Sequence, residues 1–158
     1  MPKVDKEVWV KAPIEKIFGY IHEPSNWPEF WPSLVEIKDI QLLPNGGHSG
    51  RGVYKMLGMQ FESTGECTQI VPPQFLVVET KGGIRSTMAW TFRSWENKTR
   101  VTLTIEYKVP IPLLGKLAEA VIQKMNEHEG DLIMANLQTI LEANRPRIPR
   151  IPRILKPH

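Results

Sequence analysis

Two carboxylates in this 158-residue chain sit where carboxylates are costly. Glu79 stands in an alternating segment whose other inward members are apolar. Glu129 lies within about 20° of the middle of an apolar helical stripe by the 3.6-residue period. A carboxyl group among apolar side chains has its charged form disfavoured, and its pKa rises. Such a group suits proton abstraction beside a carbonyl. The same pair, with Asn136 near the stripe axis, could instead orient the polar head of a bound molecule. Ser63, Cys67, Gln69 and Ser86 fall on the same inward side of their strands. An unpaired polar group in a dry core costs about 1–3 kcal/mol, and an unpaired charge far more. The expectation is an interior that holds water or a ligand. The plainer alternative has Glu79 and Glu129 solvated at an open rim.

Other chemistries lack their residues. His22, His48, His128 and His158 show no metal-ligand spacing, and no metal site is expected. Cys67 has no neighbouring base and reads as an inert buried thiol. There is no glycine-rich phosphate loop, no G-x-S-x-G elbow and no dinucleotide fingerprint, so no cofactor is expected. Glu79 and Glu129 remain as the catalytic candidates.

The elements that must position these groups can be read from periodicity. Residues 4–11 alternate as a strand, and Ala12-Pro13 stops it. Pro13 suits the first turn of a helix, where its missing N–H would be unpaired anyway. Ile14, Ile17, Phe18 and Ile21 then repeat at helical spacing to about His22. Prolines 24, 28 and 32 allow only short turns next. These turns present Trp27, Phe30 and Trp31 as an aromatic lid or as a plug. A strand over 34–43 and a loop to Gly50 lead into a meander of strands at 51–57, 59–71, 75–81, 84–94 and 99–107. Gly82-Gly83 is the strongest hairpin signal. With it as a two-residue loop, Val77 faces Met88 and Glu79 faces Ser86. The neighbouring turns place Cys67 opposite Glu79, Tyr54 opposite Ser63 and Trp90 opposite Ile105. The inward set is then Tyr54, Phe61, Val77, Met88, Trp90, Leu103 and Ile105. Last comes an amphipathic helix over 113–143. Its stripe holds Ile122, Met125, Leu132, Ile133 and Ile140, with Gly130 on the far side.

Hydrophobic residues are 41% and charged residues 23%, ordinary for a globular chain. One cysteine precludes an intrachain disulfide, and the expected compartment is the reducing cytoplasm. No apolar stretch follows the N-terminus, so no secretory signal is expected. The net charge of +3 is unevenly spread. Arg145, Arg147, Arg150, Arg153 and Lys156 fall in the last fourteen residues with no acid, leaving 15 bases against 17 acids in the body. Arg147, Arg150 and Arg153 each precede an isoleucine at a three-residue period, which matches polyproline II. Residues 144–158 read as an extended basic tail able to touch an anionic membrane or an acidic partner. No specific nucleic-acid binding is expected.

The order strand, two short helices, six-strand meander and long terminal helix resembles the helix-grip fold. That fold is shared by START lipid-transfer domains, the birch pollen allergen and the polyketide cyclase/dehydrase proteins. The last group is most similar. The resemblance is carried by Ala12-Pro13, the 27–32 segment Trp-Pro-Glu-Phe-Trp-Pro, Val71-Pro72-Pro73, Trp90-Thr91-Phe92 and the alternation over 99–104. It implies a cavity for a hydrophobic ligand such as a lipid, polyketide or isoprenoid. The group has no universal catalytic motif, so it assigns no catalytic residue.

The reading is therefore an α+β helix-grip domain over 2–143. A curved antiparallel sheet of about seven strands wraps a long C-terminal helix, with two short helices after the first strand. The expected function is binding, carriage or sensing of a small hydrophobic ligand. The alternative is a polyketide cyclase or aromatase using cavity carboxylates. The expected lining is Trp31, Tyr54, Phe61, Ser63, Cys67, Val77, Glu79, Ser86, Met88, Trp90, Leu103, Ile105, Met125, Glu129, Leu132 and Asn136.

Overall fold

The structure, a computed structural model, describes residues 3–56, 58–108 and 115–143, with side chains of the last segment described from Ile122 onward. The tail arginines Arg147, Arg150 and Arg153 lie outside the described residues. Strand β1 (Lys3–Val10) leads into helix α1 (Ile14–His22) and a 3-10 helix (Pro24–Glu29). Six strands follow: β2 (Leu34–Leu42), β3 (His48–Met56), β4 (Met59–Val71), β5 (Phe75–Gly82), β6 (Arg85–Trp95) and β7 (Lys98–Lys108). Helix α2 (Gly115–Glu142) is the last element among the described residues. The strands form one antiparallel sheet in the order β1-β7-β6-β5-β4-β3-β2. This is the expected α+β helix-grip architecture.

Alternation fixes which face is buried. In β6 and β7, Met88, Trp90, Phe92, Val101, Leu103 and Ile105 point inward and are buried. Trp90 lies opposite Leu103, one pair along from the expected register, because the turn spans Glu96 and Asn97. A shift of two leaves every side chain on its own face. Strand β5 differs. Its turn to β6 takes three residues, so Thr80 pairs with Ser86 and Glu79 with Thr87. The reason is Ile84, which is too apolar to stay in an exposed turn and is buried. Its N–H donates to Ser63 Oγ at 2.8 Å. Its carbonyl accepts from Thr80 Oγ1 at 2.9 Å and from Ser63 Oγ at 3.1 Å. A bulge at Thr68 absorbs the odd residue, leaving Cys67 opposite Val78 and Gln69 opposite Val77. Val77 and Glu79 therefore face outward, and Leu76, Val78 and Thr80 take the inward places.

Helix α2 packs chiefly against β1. Its buried residues include Ile122, Gly130, Ile133, Leu137 and Leu141. Gly130 faces the sheet, contrary to expectation. A Cβ there would lie 2.9 Å from Lys6 Cγ and 3.1 Å from Val4 Cγ1. The stripe is thus rotated toward Gly130, where the missing side chain permits the closest approach. Met125 and Leu132 are left exposed as a result. The Lys6 ammonium pairs with Glu127 at 2.8 Å and Asp131 at 2.9 Å, one residue on either side of the contact turn. Side chains of α2 also reach the outer edge of β1. Gln123 donates to the Lys3 carbonyl, Gln138 donates to the Trp9 carbonyl, and the Lys11 N–H donates to Glu142.

Candidate functional site

Between α2 and the inner face of the sheet lies a hollow lined by Trp31, Tyr54, Met56, Ile84, Met88, Ile105, Glu129 and Ile133, among others. A second hollow continues from it past Tyr54 and Met88, which line both. The second is bordered by Trp27, His48, Gly50, Gly52, Ser63, Gly65, Val78 and Thr80. The first offers about 40 Å³ to the centres of water molecules, or about 500 Å³ counted with its open mouth. The second offers about 50 Å³ and 440 Å³. One water needs roughly 10–15 Å³ of such space, so each hollow has room for a few waters. A larger guest must displace side chains. Met88 is unbranched and adaptable, and Tyr54 stands between the two spaces.

Glycine shapes the second hollow. Gly50 and Gly52 alternate on β3, and Gly65 lies opposite Gly50 on β4. Glycine inside a strand removes packing and leaves room for a close approach. A Cβ on Gly65 would meet only ordinary contacts, 3.6 Å from Thr80 Cγ2 and Val78 Cγ1.

Glu129 is held by the segment that follows the 3-10 helix. Its Oε1 accepts from Trp31 Nε1 at 3.1 Å and from Ser33 Oγ at 2.8 Å, and its Oε2 accepts from the Ser33 N–H at 2.8 Å. An ionised carboxylate has about four acceptor sites, so one direction stays open. Asn136, two turns on, donates to the Phe30 carbonyl at 3.1 Å. Both polar groups of α2 thus fasten the helix to the 30–33 segment. That segment carries an aromatic cluster. Trp27 stacks on Trp31 with centroids 5.7 Å apart, and Phe30 meets Trp90 edge-on at 6.0 Å. Phe30 is fully buried and acts as the plug, while Trp27 and Trp31 border the hollows.

Tyr54 is buried beside Glu129. Burial first, and the carboxylate's charge second, push its phenol well above the ordinary tyrosine value. It is a neutral hydroxyl at physiological pH. Burial also raises the Cys67 thiol, whose Sγ contacts the Gln69 carbonyl at 3.4 Å. Cys67 lines a small third space beside His22 and His48. His48 Nδ1 is buried with no hydrogen-bond partner among the described residues. No group of three His, Cys, Asp or Glu able to hold a metal occurs among the described residues.

The expected lining divides as follows. Trp31, Tyr54, Ser86, Met88, Ile105 and Glu129 meet in the first hollow, Ser63 borders the second, and Cys67 the third. Ser63 and Ser86 lie at the hollows, but Thr80 Oγ1 shares a hydrogen bond with Ser86 Oγ at 2.6 Å, and Ser63 is bonded to Ile84. Their hydroxyls hold the β5–β6 turn. Trp90 and Leu103 are fully buried core residues, and Phe61 is partly buried against the core. Val77, Glu79, Met125 and Leu132 are corrections: the turn at Ile84 and the rotation of α2 direct them outward. Ser33, Tyr107, Asn126 and the strand glycines were missed. The Gly50-x-Gly52 alternation was the available signal for the last.

The family described as polyketide cyclase/dehydrase and lipid transport matches residues 1–142. The fold is similar to TTHA0849 from Thermus thermophilus, with 21% identity, 92% of this chain and 100% of that chain covered, and a TM-score of 0.72. It is similar to the Zhui aromatase/cyclase from a Streptomyces species, with 13% identity, 89% and 93% covered, and a TM-score of 0.76. A START superfamily protein from Mycobacterium smegmatis shares 12% identity over 87% and 98%, with a TM-score of 0.69. No curated protein matches the chain in sequence.

Proposed function

From the premise that this chain belongs to the polyketide cyclase/dehydrase and lipid transport family, we propose that it reversibly binds one small hydrophobic molecule, a lipid, polyketide or isoprenoid-like compound, for carriage or sensing. The guest would occupy the hollow under α2 and its continuation past Tyr54 and Met88. The observation that carries this reading is the state of Glu129. It is the one carboxylate bordering the first hollow among the described residues, and three donors already fasten it. A group so engaged is suited to positioning. Its free acceptor direction and the neutral Tyr54 hydroxyl supply two polar contacts in a lining made mainly of apolar side chains, the usual composition of a small-molecule site. Burying apolar surface would supply the affinity, at about 25 cal/mol per Å².

The test is native mass spectrometry of freshly purified protein, followed by titration with the neutral fluorophore N-phenyl-1-naphthylamine. The expected result is one bound equivalent, lost in Gly65→Leu, whose side chain would fill the second hollow. Unchanged binding in that variant, with its fold intact, refutes the site.

A further inference from the structure

We propose that the end of the sheet carrying Trp9 and Trp95 is a docking surface for an anionic phospholipid membrane. Trp9, Arg100 and Arg93 face one another across β1, β7 and β6 on the outer side of the sheet. Adjacent strands are about 4.8 Å apart, so the three side chains share one row. Trp95 lies two residues beyond Arg93 and opposite Lys98. Trp9 is 41% and Trp95 63% exposed, the two exposed tryptophans among five. Indole rings favour the headgroup boundary, where an apolar body and one N–H donor are both accommodated.

Charge agrees with the aromatics. Arg100 lies opposite Trp9 and Arg93, Lys98 lies opposite Trp95, Lys11 follows the end of β1, and Lys16 stands in α1. Arg100 is paired with Glu7. Neither Arg93 nor Lys98 has a carboxylate partner among the described residues. Glu15, Glu96 and Glu142 are the other nearby acids, and Glu142 accepts from the Lys11 N–H at 2.9 Å. That bond, with Gln138 donating to the Trp9 carbonyl at 3.0 Å and Lys16 to the Leu141 carbonyl at 3.1 Å, places the last turn of α2 at this same end. The end of α2, after which fifteen further residues follow Ala143 in the sequence, therefore lies beside the patch. Those residues bring five bases and no acid. Two exposed indoles, unpaired bases and a basic segment starting at one place fit an anionic bilayer. The surface is separate from the hollows, and the inference does not depend on their occupancy.

The experiment uses the full chain with vesicles of phosphatidylcholine alone or with phosphatidylglycerol, read by co-sedimentation and tryptophan emission. Trp27, Trp31 and Trp90 are already buried, so a blue shift on binding reports Trp9 and Trp95. Binding to the anionic vesicles alone, weakened by salt, is expected. The exposed double variant Arg93→Gln/Lys98→Gln should weaken it about fivefold per charge removed. Trp9→Ser/Trp95→Ser should weaken it roughly tenfold and abolish the shift. Equal binding to both vesicles overturns the proposal. So does parental binding by the tryptophan variant with an unchanged circular dichroism spectrum, or retention of duplex DNA or RNA in place of vesicles.

Discussion

The same substitution, glycine to alanine inside a helix, should have opposite signs at Gly19 and Gly130. Both residues are helical, and alanine is better than glycine in a helix interior by about 0.8–1.0 kcal/mol. At Gly19 a new Cβ meets nothing within 4 Å. The full propensity gain should appear, raising Tm by about 3 °C for a domain of this size. At Gly130 the Cβ would stand 2.9 Å from Lys6 Cγ, 3.1 Å from Val4 Cγ1 and 3.2 Å from Lys6 Cε. Relief to ordinary contact means moving α2 from β1 by about half an ångström, or turning Lys6 away from Glu127 and Asp131. Overpacking of this kind costs about 1–3 kcal/mol, which exceeds the propensity gain. Gly130→Ala should therefore lose about 1 kcal/mol net, placing the variants about 2 kcal/mol apart in urea denaturation followed by circular dichroism. Lys6→Ala removes two of the three opposing atoms. In the double-mutant cycle, it should make Gly130→Ala nearly neutral or favourable. If Gly130→Ala stabilises as much as Gly19→Ala, the close seating of α2 on β1 is wrong.

Glu129→Gln should lower stability by about 2 kcal/mol, because the amide presents a donor to the Ser33 or Trp31 N–H; a loss under about 0.5 kcal/mol (~2-fold in the unfolding constant) would deny the fastening role. Tyr54, Cys67 and Tyr107 are raised by burial, and Lys6 by its hydrogen bonds to Glu127 and Asp131. Folded-state values above the unfolded ones mean that the native state holds more protons in alkali. Their stabilisation is complete below the unfolded values and declines as pH rises from about 9. Urea midpoints should fall between pH 8 and 10.5, less steeply in Tyr54→Phe; identical slopes would contradict the buried phenol. Gly47→Ala should be strongly destabilising, since its Cβ would lie 2.5 Å from Cys67 Cβ, and a thermal melt matching the parent chain would disprove that contact.

Legibility in the sequence followed the source of each constraint. Strands β6 and β7 were readable because Met88, Trp90, Phe92, Leu103 and Ile105 alternate without exception, and a register error of two does not change faces. Strand β5 was not. Its direction depends on whether the glycine turn takes in Ile84, which rests on Ser63 and Thr80 hydroxyls from other positions in the chain. One extra turn residue moved Glu79 from interior to surface. The α2 stripe was misplaced for a related reason. Hydrophobicity averages along a helix centre on its largest apolar residues, whereas the contact with β1 centres on Gly130, which has no side chain to count. Glu129 was correctly drawn toward the interior, but its partners Trp31 and Ser33 lie about a hundred residues away and have no periodic signature.

An open sheet ends in two strands whose outward N–H and C=O groups invite a further strand, from this molecule or a neighbour. Here both invitations are withdrawn by different means. Gln123, Gln138 and Glu142 occupy backbone groups along and just beyond β1. Strand β2 loses its regular register at two places and carries Asp39 at φ 56°. A scaffold with unfilled interior space sacrifices packing energy and opens more readily than a solid one. Features at both borders leave fewer regular, unpaired backbone groups for a further strand to join.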